Sequence, residues 1–166
     1  MRVLGIDPGS RKTGWGVVQL EGTRLRHIGA GTIAISGKTP LPDRLRMIHE
    51  GLQRVIAEHS PEAVAVEEIF FAKHANAALK LGHARGVALL VAAQSSLAVH
   101  EYPPAIVKRT VVGRGNADKN QVGRLVAALL GLSEPPDVDA SDALAVAITH
   151  IQAFRSGAVK IGTSVQ

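Results

Sequence analysis

The chain has 166 residues, of which 46% are hydrophobic and none is cysteine. This length and composition predict one domain with a substantial core. Without thiolates the chain can hold neither disulfides nor a cysteine-ligated zinc or iron–sulfur site. Lys and Arg outnumber Asp and Glu by 19 to 14, which favours polyanionic partners without requiring one. No leader or run of roughly 18 apolar residues is present, so we expect a cytoplasmic protein with no membrane partner.

The first predicted elements are three strands. An apolar run from Val3 ends in Asp7, Pro8-Gly9 breaks it, and a second apolar run follows. With a third extended run over residues 25–35, this pattern predicts an antiparallel meander. A carboxylate in a buried strand is costly unless it is paired or bound to a cation. Asp7 therefore needs a partner from elsewhere in the chain.

Helical and extended patterns then alternate. They predict helices over 42–58, 75–97, 106–112, from about Asn116, and from Asp139 to about Phe154, with strands over 63–66 and 98–102. This order predicts an α/β fold with a five-stranded mixed sheet, made of the meander plus two parallel strands, and helices on both faces. We expect one domain over residues 1–155 and a disordered tail over 156–166.

The predicted helix over residues 75–97 is apolar on nearly every side and contains Gly82 and Gly86. Such a helix must be covered on more than one face. The pattern favours neither of two coverings, a second subunit or the rest of the same monomer.

Acidic residues occur where several predicted elements end or begin. The strand over residues 63–66 is followed by Glu67-Glu68, and parallel pairing with the first strand would set one of them beside Asp7. Asp139 and Asp142 open the last helix. One interpretation is helix capping, with Asp139 or Ser141 as N-cap. The other joins both to Asp7 and a glutamate, an arrangement of carboxylates that only divalent cations make tolerable, and that two metal ions could use for phosphodiester hydrolysis.

Several separated motifs resemble those of the RuvC family of Holliday-junction resolvases, which has a ribonuclease-H-like fold. The resemblance runs from about Val3 to His150. It is carried by Gly-Ile-Asp-Pro-Gly-Ser at 5–10, Glu67 with Ile-Phe at 69–70 and Ala-Lys at 72–73, Ala-Leu-Lys-Leu-Gly at 78–82 with Ala-Arg-Gly at 84–86, Val-Lys at 107–108 with Thr-Val-Val-Gly at 110–113, and Asp-Ala-Ser-Asp-Ala-Leu-Ala at 139–145 with Ile-Thr-His at 148–150.

The resemblance implies an endonuclease that resolves four-way-junction DNA by symmetric paired nicks in two like strands, during recombination and repair. It also implies a homodimer, a branch-migration complex of RuvA and RuvB as partner, and two Mg²⁺ ions per active site, with Mn²⁺ as the alternative metal. The implied metal ligands are Asp7, Glu67, Asp139 and Asp142. Lys108 and Lys119 would support catalysis, and Phe70 would engage bases at the junction centre.

The chain departs from the familiar pattern at Glu68, where a neutral polar residue is more common. Strand alternation sends Glu67 and Glu68 to opposite faces of the sheet, and we select Glu67 as the ligand. Further basic residues either form solvated surface or contact DNA phosphates. We predict DNA contacts for Arg11, Lys12, Lys73, Arg85 and Arg114 in addition to Lys108 and Lys119.

Two other functions fit parts of the sequence. Gly-Ile-Asp-x-Gly before a hairpin also resembles the phosphate-binding turn of ATP-binding domains of the actin and sugar-kinase type, although a second such motif is missing here. A non-catalytic protein that binds branched DNA is the other alternative. Four carboxylates argue against it, because a surface that only binds phosphates gains nothing from them.

Overall fold

The computed structural model describes residues 1–68, 75–113 and 119–159, with the backbone alone for residues 75, 119 and 120. Within these ranges the chain forms five strands and five helices. The strands are β1 (Arg2–Asp7), β2 (Lys12–Glu21), β3 (Arg24–Ala34), β4 (Ala63–Glu67) and β5 (Ala98–Tyr102), and the helices are α1 (Leu41–His59), α2 (Ala75–Gln94), α3 (Pro104–Val112), α4 (Lys119–Leu130) and α5 (Val138–Arg155). None of these helices combines the length and hydropathy that a membrane crossing requires.

The strands form one mixed sheet in the order β3-β2-β1-β4-β5. β1, β2 and β3 are an antiparallel meander, while β4 pairs parallel with β1 and β5 pairs parallel with β4. The predicted fold class and sheet are confirmed. Because β1 and β4 run in the same direction, their carboxyl ends meet at one edge of the sheet.

Helices cover both faces of this sheet, as predicted. Alternate residues of β1 and β4 point to opposite faces. Leu4, Ile6, Val64 and Val66 pack in a core cluster with residues of α1 and α2. Val3 and Ala65 belong to a second cluster, formed with α3, α4 and α5.

The helix that is covered on all sides is α5 rather than α2. Every residue from Ala143 to Ile151 is buried. In α2, by contrast, Leu79 is 62% exposed and Leu90 is 51% exposed. The possibility that α2 is sandwiched within its own monomer is therefore wrong for the described part of the chain.

Several predicted element boundaries differ from the observed ones. α2 ends at Gln94 rather than Leu97, and α4 begins at Lys119, with the predicted start near Asn116 outside the described residues. Gly131 follows α4 with φ of +66°, the left-handed conformation that glycine commonly adopts where a helix ends. In the predicted tail, the Ser156 amide donates to the Gln152 carbonyl, and residues 160–166 lie outside the described ranges.

Candidate active site

Asp7 is the last residue of β1 and is half-buried. The turn between β1 and β2 is stabilised by an internal hydrogen bond, in which the buried Thr13 hydroxyl donates to the Gly9 carbonyl over 2.8 Å. A Cβ on Gly9 would overlap the Lys12 carbonyl oxygen, so the turn is this tight only with glycine there. The turn thus brings β2 back beside β1 without covering the carboxylate.

Glu67 reaches the same place from β4. Parallel pairing of Ile6 with Val66 puts Asp7 and Glu67 at neighbouring strand ends. Both acids lie two residues beyond positions that face α5, namely Gly5 and Ala65, so both side chains take that face. The backbone N–H of Glu68 donates to the Tyr102 carbonyl over 2.9 Å, which extends the sheet pairing past Glu67.

Asp142 is supplied by the first turns of α5, whose N-cap is Asp137. The Asp137 carboxylate accepts from the Ala140 N–H and from the Thr32 hydroxyl of β3, each over 2.9 Å. The capping interpretation, which gave Asp139 or Ser141 as N-cap, is therefore wrong by two or four residues. The Ser141 hydroxyl donates instead to the Pro136 carbonyl over 3.0 Å. These bonds fix where α5 begins relative to the sheet.

Glycines in β1 and β2 allow α5 to lie directly on the strand backbones. A Cβ on Gly5 would overlap the Ala143 carbonyl oxygen and lie 2.7 Å from the Ala147 nitrogen. A Cβ on Gly14 would overlap the Asp139 carbonyl oxygen. The close approach brings the acidic start of α5 down to the level of the strand ends.

The three acids and a lysine meet in one cleft of about 200 Å³. Its polar residues are Asp7, Glu67, Asp142 and Lys108, and its remaining walls are Pro104, Val107, Val122 and Ala145. Lys108 comes from α3, so the cleft joins β1, β4, α3, α4 and α5. The structure thus brings together three of the four predicted metal ligands and one of the two predicted catalytic lysines.

The donor chemistry of this cleft fits a hard divalent cation. Carboxylate oxygens are the ligands that Mg²⁺ and Mn²⁺ prefer, and no cysteine competes. Among the described residues, however, no three His, Asp or Glu side chains already converge as a ready-made ligand group. Carboxylates repel one another, so those lining the cleft need a cation between them before they share one point.

Asp139 takes a different position from the other three acids. Its carboxylate lies 3.7 Å from the Lys12 ammonium, with 28% of the Asp139 side chain and 65% of the Lys12 side chain exposed. An exposed pair of this kind stabilises a fold by about 0.2–1 kcal/mol. Asp139 therefore stands beside the cleft, one helical turn before Asp142, and is held by one of the predicted DNA contacts.

The other predicted DNA contacts have varied surroundings. Arg85 forms an ion pair with Glu101 of β5. The exposed Arg11 guanidinium packs over Gly37, whose Cβ position is 3.3 Å from the Arg11 Cζ. The predictions for Phe70, Lys73 and Arg114 lie outside the described residues, as does the side chain of Lys119, the first residue of α4.

Sequence reasoning missed a buried polar cluster between β5 and α5. His100 and Tyr102 of β5 lie against His150 of α5, and the Tyr102 hydroxyl is 2.9 Å from the His150 Nδ1. Burial, followed by the charge of the neighbouring His100, lowers the pKa of His150 to about 4. Burial also lowers the pKa of His100 and raises that of Tyr102 to about 12. The alternation of His100 and Tyr102 in a strand was the available sign that both face one side.

The family profile described as "Crossover junction endodeoxyribonuclease RuvC" matches residues 3–150. This chain belongs to the RuvC family. The crossover junction endodeoxyribonuclease RuvC of Sorangium cellulosum is 54% identical over 153 residues, which cover 92% of this chain and 86% of that protein.

Solved structures agree with this assignment. The structure of Thermus thermophilus RuvC in complex with Holliday junction substrate matches with a TM-score of 0.90 and 38% identity, over 96% of this chain and 98% of that one. The yeast mitochondrial Holliday junction resolvase Ydc2 shares the fold, with a TM-score of 0.62 and 14% identity over 95% of this chain and 84% of that one. The RuvC resemblance read from the separated sequence motifs is confirmed.

Proposed function

We propose that this RuvC-family protein is an endodeoxyribonuclease that resolves Holliday junctions, and that the cleft between β1, β4 and α5 is its active site. The observation that carries the proposal is the meeting of Asp7, Glu67 and Asp142 with Lys108 in that cleft. The reaction is inferred from membership of the RuvC family, and the cleft is the proposed place where it occurs. RuvA and RuvB are the branch-migration partners that the family implies.

Asp7, Glu67 and Asp142 are the side chains that would hold Mg²⁺ or Mn²⁺ at this site. Divalent ions there would supply the activation of water and the charge neutralisation that phosphodiester hydrolysis needs. The strand ends position Asp7 and Glu67, and the capped start of α5 positions Asp142, so all three carboxylates line the cleft in which a cation would draw them together. We assign Asp139 to the same metal site as the fourth acid. Its carboxylate would become available when Lys12 leaves it to contact a DNA phosphate.

Lys108 acts as a fixed positive charge within the same cleft. It is half-buried on α3, next to the buried Val107 that anchors the helix in the core. An ammonium so held can neutralise charge that develops on the scissile phosphate in the transition state. Lys119, at the start of α4, is proposed as a second such group.

The exposed face of α2 is the proposed dimer interface. Leu79, Gly82, Gly86, Val87 and Leu90 lie along one apolar groove on this helix. A Cβ on Gly82 or Gly86 would meet nothing within 4 Å, so the surface is open for another helix to approach closely. A two-fold dimer matches the two-fold symmetry of a four-way junction. Paired cuts would follow if each protomer nicks one strand.

The experiment is a cleavage panel with mapped cut sites. Synthetic four-way junction, flap, linear duplex and RNA–DNA hybrid are each incubated with the protein and Mg²⁺ or Mn²⁺. We expect cuts in the junction alone, at symmetric positions in two like strands. Cleavage of the flap or hybrid at the rate of the junction would contradict the assignment. Binding without cleavage under both metals would favour a non-catalytic branched-DNA-binding protein.

A further inference from the structure

A buried polar cluster links the far end of α5 to the edge strand β5. His100 and His150 are each 1% exposed and Tyr102 is 9% exposed. The ring centroids of His100 and His150 are 4.3 Å apart, and those of Tyr102 and His150 are 6.0 Å apart. Neither ring nitrogen of His100 has a hydrogen-bond partner within the described ranges. The Tyr102–His150 hydrogen bond is therefore the polar contact that ties this cluster across two elements.

The two residues that make this bond belong to the elements that carry the acids. Tyr102 is the register partner of Glu67 in the parallel pairing of β5 with β4. His150 lies on α5, about two turns or roughly 12 Å beyond Asp142. A shift of α5 along or around its axis would change the Tyr102–His150 distance and the separation of Asp142 from Glu67 together.

At the near end of α5, the hydrogen bond from the Thr32 hydroxyl to the Asp137 carboxylate fixes where the helix begins, and beyond that point the helix is held against β1 and β2 by close packing. Gly5 and Gly14 admit the helix backbone, and these are contacts between apolar or backbone atoms. Such contacts limit how close the helix can come, but they define its rotation less sharply than a directional bond does. A hydrogen bond between two buried side chains has one satisfied arrangement, and every other arrangement leaves a buried polar group without a partner.

We propose that the Tyr102–His150 hydrogen bond is a positioning contact for the active site, which fixes α5 so that Asp142 stands at the right distance from Glu67. This rests on the proposed function, because it assigns Asp142 and Glu67 to one metal-dependent site. Neither Tyr102 nor His150 is among the residues that line the cleft. Their proposed role is to set the positions of the metal ligands Asp142 and Glu67.

Tyr102→Phe is the most direct test, because it removes the hydroxyl and keeps the ring. Three quantities are measured on the full-length protein. They are the single-turnover rate of junction cleavage, the Kd for junction DNA in Ca²⁺, and the Kd for Mn²⁺ by calorimetry without DNA. We expect the cleavage rate to fall and the Mn²⁺ Kd to rise by about tenfold, the lower end of what lost outer support of metal ligands costs. Junction affinity should stay within about twofold, since phosphate contacts dominate it.

Thr149→Val is the matched control. Thr149 is also buried on α5, but its hydroxyl donates to the Ala145 carbonyl of its own helix over 2.8 Å. The Thr149→Val variant therefore loses a buried hydroxyl without losing a link between α5 and the sheet. We expect it to cleave the junction and bind Mn²⁺ as the wild type does. A second pair of variants tests the same contact if Tyr102→Phe does not fold. His150→Leu should lose cleavage activity, and His150→Asn, which retains an acceptor near the Nδ1 position, should keep part of it.

Wild-type cleavage and Mn²⁺ affinity in Tyr102→Phe would overturn the positioning role. An equal loss in Thr149→Val would do so too, because it would show that any buried polar deletion in α5 has the same effect. Failure of the proposed function looks different, since the wild-type protein itself would then leave the junction uncut.

Discussion

Replacing Gly5 by alanine tests whether glycine in β1 sets the position of α5. The new Cβ would overlap the Ala143 carbonyl oxygen and lie 2.7 Å from the Ala147 nitrogen and 3.0 Å from the Ala147 Cβ. Ordinary non-bonded contacts begin at about 3.5 Å, so α5 must retreat from β1 by roughly 1 Å. Overpacking of this size costs about 1–3 kcal/mol of the free energy of unfolding. Because Asp142 moves with α5, junction cleavage should fall by about 10²-fold.

The assay pairs urea unfolding with single-turnover cleavage of a synthetic junction at saturating Mg²⁺. Gly123→Ala is the matched control, because Gly123 is a buried glycine of α4 whose Cβ would lie 3.5 Å from the Ser141 Oγ. That variant should gain about 0.5–1 kcal/mol from helix propensity and cut normally. Wild-type stability and cleavage in Gly5→Ala would refute the reasoning, as would equal damage in the control.

Three other predictions concern separate parts of the protein. Burial lowers the pKa of His150 to about 4, so between that pH and about 6.5 the unfolded state binds a proton that the folded state does not. The free energy of unfolding should therefore fall by up to about 3 kcal/mol from pH 7 to pH 4. Urea titrations of wild type and His150→Gln measure this, and an equal dependence of the unfolding free energy on pH in the two proteins would contradict it. Glu67→Gln should lose about 10²-fold or more in junction cleavage while Glu68→Gln stays near wild type, and the reverse ranking would move the ligand to Glu68. Leu79→Glu should convert a dimer to a monomer in sedimentation velocity, whereas Leu129→Glu, at an exposed position of α4, should not; an intact dimer in Leu79→Glu would place the interface elsewhere.

The order of elements and the meeting of Asp7 with Glu67 could be predicted from the sequence. The two apolar runs around Pro8-Gly9 predicted a hairpin, and the short apolar run before Glu67 predicted a parallel strand. Alternation within strands is a local property, so it showed that only one of Glu67 and Glu68 can share the face of Asp7, and the resemblance to the RuvC family selected Glu67.

The position of the last helix depended on contacts that no local pattern encodes. The Asp137 carboxylate caps α5 by accepting from the Ala140 N–H, and it also accepts from the hydroxyl of Thr32 in β3, a residue distant in the sequence. Gly14 matters because the Asp139 backbone lies against it. Lys12 pairs with Asp139 for the same reason, since the packing of α5 on β2 sets their distance. Such long-range juxtapositions follow from tertiary packing, which the periodicity of one segment does not determine.

The central claim is that Asp7 anchors a metal-dependent nuclease site, and Asp7→Asn tests it most directly. The variant keeps the size of the side chain and removes its charge. With a synthetic four-way junction and Mg²⁺, the wild-type protein should make symmetric paired nicks. Asp7→Asn should bind the junction with an affinity within about threefold of wild type, because phosphate contacts carry binding, and should produce no detectable nicks. Cleavage by Asp7→Asn at the wild-type rate would contradict the account.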